Sequence, residues 1–308
     1  MPAEHMRPHP GTQRQAQSST LIAVLGLLGI ALLVLALGPT VALAQGGEAQ
    51  GWFDPARTRA PLAVFIVFSI LVLYFIRRSR QGHELFIRRI AGIAAMEEAV
   101  GRATELGKKV LYLPGGGALE DIQTIASLAV MRHVATLSAR YGADLAVLNK
   151  DPLTFAAARE TVREAYMQAG RPDLYTDEIV SYVTYDQFAF TAAVTGYMVR
   201  EKPAANFLIG TFHAESLLLA ETGQMTGAIQ IAGTAEVTQL PFFAVVCDYT
   251  LMGEELFAAG AYVSREPAML GSIKGQDFTK AALIVYLVLG IALEIFGVHW
   301  LREFMTIR

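Results

Sequence analysis

Along the chain, apolar positions fall into two regimes. In residues 21–37, 61–76 and 281–298 they run almost without interruption, at about the length that crosses a ~30 Å hydrocarbon core. Between the second and third runs, short apolar stretches alternate with segments in which apolar positions recur every three to four residues. Six such stretches read as strands, at 108–113, 144–148, 179–183, 206–210, 228–232 and 242–247. Helical spacing fills 90–106, 119–140, 152–170, 187–200, 214–221 and 253–262. A parallel strand pair needs a long crossover, and helices between strands supply one. The expected fold is therefore α/β: a Rossmann-like, mostly parallel sheet with helices on both faces, in a cytoplasmic domain bracketed by transmembrane helices.

Punctuation residues support these boundaries. Gly107, Gly142 and Gly170 stand where helices close, Asp151-Pro152 reads as an N-cap followed by proline at the first helical position, and Asp186 heads the next helix. Gly38-Pro39 and the small residues Ala42 and Ala44 follow the first apolar run, so residues 1–44 are a signal peptide cleaved after Ala44 or a first membrane span. The second run ends on Arg77-Arg78-Ser79-Arg80, which the positive-inside bias places in the cytoplasm. The third lies between Lys280 and Trp300 and crosses back. The predicted organisation is an extracytoplasmic tether at 45–60, a membrane helix at 61–77, a cytoplasmic domain at 78–280, a membrane helix at 281–300 and an extracytoplasmic tail at 301–308. Such a chain is a multi-pass protein of the cell membrane, with the bilayer as its first partner.

Composition narrows the choice further. With 308 residues, 53% of them apolar and only 17% charged, and a mean hydropathy of +0.39, the chain is neither a disordered protein nor one that coats nucleic acid. Residues 81–280 carry 16 Lys and Arg against 23 Asp and Glu, and this acidity argues against a nucleic-acid partner. The single cysteine, Cys247, excludes an intramolecular disulfide and a cysteine-rich zinc site, and its apolar neighbours make it a buried small hydrophobe.

In an open parallel sheet ligands bind beyond the carboxyl ends of the strands, so candidate chemistry is sought there. Gly115, Gly116 and Gly117 could present backbone N–H groups to an anion at a helix N-terminus. Glu120 and Asp121 follow where a dinucleotide fingerprint needs glycine, and they oppose a pyrophosphate; a plain strand-to-helix turn is the other reading. Asn149, Asp151, Thr211, Gly233 and Thr234 complete the candidate ligand-binding set. His213 and Glu215 place a base and an acid two positions apart, as candidate catalytic residues. Asp186, Glu215 and Glu236 are the candidate metal ligands, although helix capping accounts equally for Asp151 and Asp186. No residue pattern specifies a cofactor. Lacking a complete catalytic motif, the chain is expected to be a homo-oligomeric scaffold or sensor that binds a small molecule or a partner. One alternative is a metal-dependent hydrolase or transferase using the acidic strand ends. A second is a subunit of an oligomeric transporter centred on Glu294, the one acid in the third run.

Five blocks carry a resemblance: residues 113–117 (LPGGG), 121–126 (DIQTIA), 169–173 (AGRPD), 200–207 (REKPAANF) and 227–236 (GAIQIAGTAE). Over about 85–285 and into the last apolar run, the chain resembles an uncharacterised bacterial integral-membrane family, a domain of unknown function. The resemblance implies location and architecture and assigns no catalytic residue.

Overall fold

A computed structural model describes residues 55–82 and 90–297. The expected signal peptide or first span, most of the tether and the tail lie outside the described residues. The chain divides into two compact units: the residues up to Arg78 together with those from Lys274 onward, and Ser79–Ile273.

The first unit contains a 26-residue helix, α1 (Pro55–Arg80), and most of the 29-residue α9 (Pro267–Ile295). Among the described residues, one helix, α9, has the length and apolarity to cross a membrane. It begins at Pro267, well before the apolar run at 281, because proline is tolerated in the first turn and nothing in 268–280 breaks the helix. The two helices approach backbone to backbone: a Cβ at Gly275 would lie 2.7 Å from Val72 Cα. Three residues further along α9, Phe278 stacks on Phe75, with ring centroids 4.8 Å apart.

The second unit is built in the order α2 (Ala91–Glu105), β1 (Val110–Gly115), α3 (Ile122–Tyr141), β2 (Leu145–Asn149), α4 (Pro152–Gln168), β3 (Val180–Tyr182), α5 (Gln187–Glu201), β4 (Ala205–Thr211), α6 (Glu215–Met225), β5 (Ile229–Thr234), α7 (Leu240–Val246), β6 (Tyr249–Met252) and α8 (Glu254–Ser264). All five strand pairings are parallel, in the order β3-β2-β1-β4-β5-β6. This is the doubly wound order, in which the winding reverses between β1 and β4.

Strand alternation divides the core. Val110 and Tyr112 of β1, Leu145 and Val147 of β2, and Phe207 and Ile209 of β4 pack under α2, α3, α4 and α8. Leu111, Leu113, Leu148 and Leu208 point to the other face, against Phe190, Val194 and Met198 of α5, Leu219 of α6 and Phe243 of α7. Inside the first layer, the Tyr112 hydroxyl donates to the Ser127 carbonyl at 2.7 Å and the Ser127 hydroxyl donates to the Ile209 carbonyl at 2.5 Å, tying β1, α3 and β4 together.

One predicted strand is a helix. Residues 240–246 form α7, with Pro241 in its first turn, and the sixth strand is 249–252. A short unbroken apolar run fits a strand and a helix equally well. Here Phe243 is 1% exposed whereas Val245 is 83% exposed, the one-sided burial of a surface helix. Asp248 precedes β6 and accepts the Gln230 N–H at 2.8 Å at the amino edge of the sheet.

Candidate functional site

Where the winding reverses, β1 and β4 touch. Gly115 has φ +84° and a Cβ there would lie 2.5 Å from Thr211 O. Gly210 has φ +137° and a Cβ there would lie 2.1 Å from Pro114 O. Gly116 N–H donates to the Thr211 carbonyl at 2.7 Å, and the strand register shifts between Leu113 and Gly115. Glycine at 115 and 210 thus serves strand contact.

Asp121 closes the N-terminus of α3. Its Oδ1 accepts the Gln123 N–H at 3.0 Å and its Oδ2 accepts the Thr211 hydroxyl. A carboxylate therefore already sits where an external anion would profit from the helix dipole, which favours the plain-turn reading of Gly115–Gly117, and the helix starts at 122 instead of 119. Gly117 is enclosed by the same group: a Cβ there would lie 2.6 Å from Thr124 Oγ1 and 2.7 Å from Asp121 Oδ2.

Gly116 has different surroundings. A methyl group there would lie 3.2 Å from Lys150 Nζ and 3.6 Å from Glu215 Oε1, so bare backbone faces a cation and a carboxylate at once. Lys150 follows β2, and its Nζ lies 5.9 Å over the Tyr185 ring. Glu215, only 4% exposed, stands in the first turn of α6, where the helix dipole favours its negative charge, and it accepts the Gln187 side-chain amide of α5. Two enclosed oxygens have no hydrogen-bond partner: Thr124 Oγ1, which lies against Gly117, and Oδ1 of Asn149, the last residue of β2, whose own Nδ2 donates to the Ser181 carbonyl at 3.2 Å. Around the polar floor, Ile122, Leu153, Tyr185 and Phe188 present exposed apolar surface from the starts of α3, α4 and α5. Tyr185 is 69% and Phe188 74% exposed.

The other sequence candidates scatter. Asp151 accepts the Thr154 N–H at 2.7 Å and Asp186 the Ala189 N–H at 2.8 Å, each capping its own helix. His213 is exposed to solvent between buried Phe212 and Glu215. Gly233 packs against Leu251 and Ile209. Gln123, which the sequence reading passed over, secures the end of β5: its Oε1 accepts the Ala235 N–H at 2.7 Å and the Thr234 hydroxyl at 3.3 Å, and its Nε2 donates to Glu236 at 3.1 Å. Among the described residues, no group of three or more His, Cys, Asp and Glu side chains converges to hold a metal ion. Asp186 caps its own helix, Glu215 accepts the Gln187 amide and Glu236 accepts the Gln123 amide. Burial first and the adjacent Asp248 charge second push the Cys247 thiol up to about 12, which disfavours its thiolate.

Residues 48–305 match a family model described as a domain of unknown function. No curated protein and no solved structure matches the chain.

Proposed function

The chain belongs to that family, DUF6754, and from its site we propose a membrane-anchored module that senses a small hydroxyl-bearing ligand at the reversal point of the sheet. The observation that carries this reading is the bare Gly116 backbone that faces Lys150 and Glu215, with two enclosed, unpartnered oxygens on the neighbouring residues, Thr124 Oγ1 against Gly117 and Asn149 Oδ1 at the end of β2. Buried polar atoms without partners are rare, and a ligand hydroxyl would supply the missing donors. Asp121 and Glu215 disfavour a bare phosphate, whereas Tyr185 and Phe188 offer a flat apolar surface to a ring.

Membrane anchoring through two helices fits the same picture. At 1.5 Å per residue α9 extends about 43 Å, enough to span with tilt, and α1, about 39 Å long with an uncharged run at 62–76, is the second anchor of this reading. Arg77, Arg78 and Arg80 at the end of α1 favour a cytoplasmic placement for the sheet.

The test is hydrogen exchange on the full chain in lipid nanodiscs with adenosine as the ring-bearing polyol, ribose as the bare polyol and inorganic phosphate as the contrasting anion. Adenosine should slow exchange at 115–117 and 150–154, ribose less so and phosphate not at all, and Glu215→Gln should weaken adenosine binding at least about tenfold. Equal protection by phosphate, or no protection by either polyol, overturns the reading.

A further inference from the structure

A second concave site lies outside the sheet edge, among the helices of the first layer. It is a cleft of about 290 Å³ between α2, α3 and the end of α8, at the small end of the range for ligand pockets. Ile93 and Val263 form an apolar wall, and Glu97, His133, Tyr262 and Arg265 supply the polar groups. Glu97 and Arg265 are exposed charges of opposite sign on one cleft, yet neither takes part in any ion pair of the described residues. His133 Nε2 is enclosed and has no hydrogen-bond partner.

We propose that this cleft binds a small zwitterion with an apolar side chain, a free α-amino acid, with its carboxylate on Arg265, its ammonium on Glu97 and its side chain against Ile93 and Val263. A guanidinium pairs with a carboxylate through parallel hydrogen bonds, and a carboxylate pairs with an ammonium through charge-assisted ones, so one ligand satisfies both charges. An anion alone would meet Glu97 and a cation alone would meet Arg265, so each half-ligand is disfavoured by the group that attracts the other half. Arg265 carries φ +52° as the C-cap of α8, and only Glu266 separates it from α9, so the binding residue stands at the junction between the sheet unit and the long helix.

The test is calorimetric titration of the full chain in nanodiscs with alanine, valine, leucine, methionine and phenylalanine. For leucine, the comparisons are leucinamide, which lacks the carboxylate, and 4-methylpentanoate, which lacks the ammonium. At least one amino acid should bind saturably, and each half-ligand at least about tenfold more weakly. Glu97→Gln should erase the preference for leucine over 4-methylpentanoate, and Arg265→Gln the preference over leucinamide; both residues are exposed, so neither variant threatens folding. Absence of saturation with all five amino acids, or equal binding of the half-ligands, overturns the proposal. Binding that survives both variants but disappears in Lys150→Ala places the ligand at the sheet edge and also overturns it.

Discussion

The Cα of Gly210 faces the carbonyl oxygen of Pro114 so closely that a Cβ would come within 2.1 Å of it. The contact joins the two strands at which the sheet reverses, and both neighbours are backbone, which cannot rotate away. Gly210→Ala is therefore expected to destabilise the sheet unit by about 3 kcal/mol or more, or to prevent folding. Gly227→Ala is the control: it also has a positive φ, +74°, but no atom within 4 Å of the new methyl, and should cost about 1 kcal/mol. Denaturant unfolding of the two variants reads the difference, and equal losses would refute the contact.

Asp121 performs two tasks, capping α3 and accepting the Thr211 hydroxyl of β4. Asp121→Ala removes both and should lower the unfolding free energy by about 2–3 kcal/mol, while Asp121→Asn, still able to cap, should lose about half of that. Chemical denaturation of both variants in one detergent tests the ordering.

With its thiol pushed up to about 12, Cys247 holds at pH 8 a thiolate fraction about three orders of magnitude below that of an unshifted cysteine. Its reaction with an aromatic disulfide reagent should be correspondingly slow in the folded chain and should rise about tenfold per pH unit up to about pH 11. A native rate equal to that of the denatured chain would show the thiol to be accessible.

Burial holds the His133 imidazole below its ordinary pKa, with Arg140 acting the same way and Glu97 opposing. From α8, Tyr262 and Arg265 line the same cleft. The folded state thus prefers neutral histidine, and the unfolded chain binds the proton first as pH falls through about 6.5. The stabilisation is complete above that range and is lost on acidification below it. Thermal unfolding between about pH 8 and about pH 5 should show a larger decline for the native chain than for His133→Gln, and parallel curves would remove this histidine from the acid response.

The legible parts of the fold are those set by local chemistry. Asp151 and Asp186 each cap the helix that follows them, as their spacing predicts, whereas Asp121 caps a helix that starts three residues later than expected; the first five apolar stretches are strands because caps and glycines punctuate the helices between them. Residues 242–247 misled because a run that is apolar on all sides carries no period, and only the burial of Phe243 beside exposed Val245 reveals a helix. For the candidate site, the strand ends follow from the sequence pattern and the amide contacts do not. Gln187 reaches Glu215 across 28 positions and Gln123 reaches Ala235 across 112, and no local pattern announces such partners. Gly115 drew attention as a ligand-cradling glycine, yet its neighbour is Thr211 backbone from another strand, a contact created by the topology.

The seating of Gly275 on Val72, together with the Phe75–Phe278 stack, has a thermodynamic meaning for everything that lies between them in the chain. As long as that helix pair holds, it acts as a noncovalent staple that closes a loop of roughly 200 residues, so the intervening sheet unit unravels with both ends pinned. In the chain-entropy picture, a closure of that length removes about 5 kcal/mol of disorder from the denatured ensemble at 25 °C. Resistance of the α/β unit to unfolding should therefore track the integrity of two helices that contribute no residue to its core.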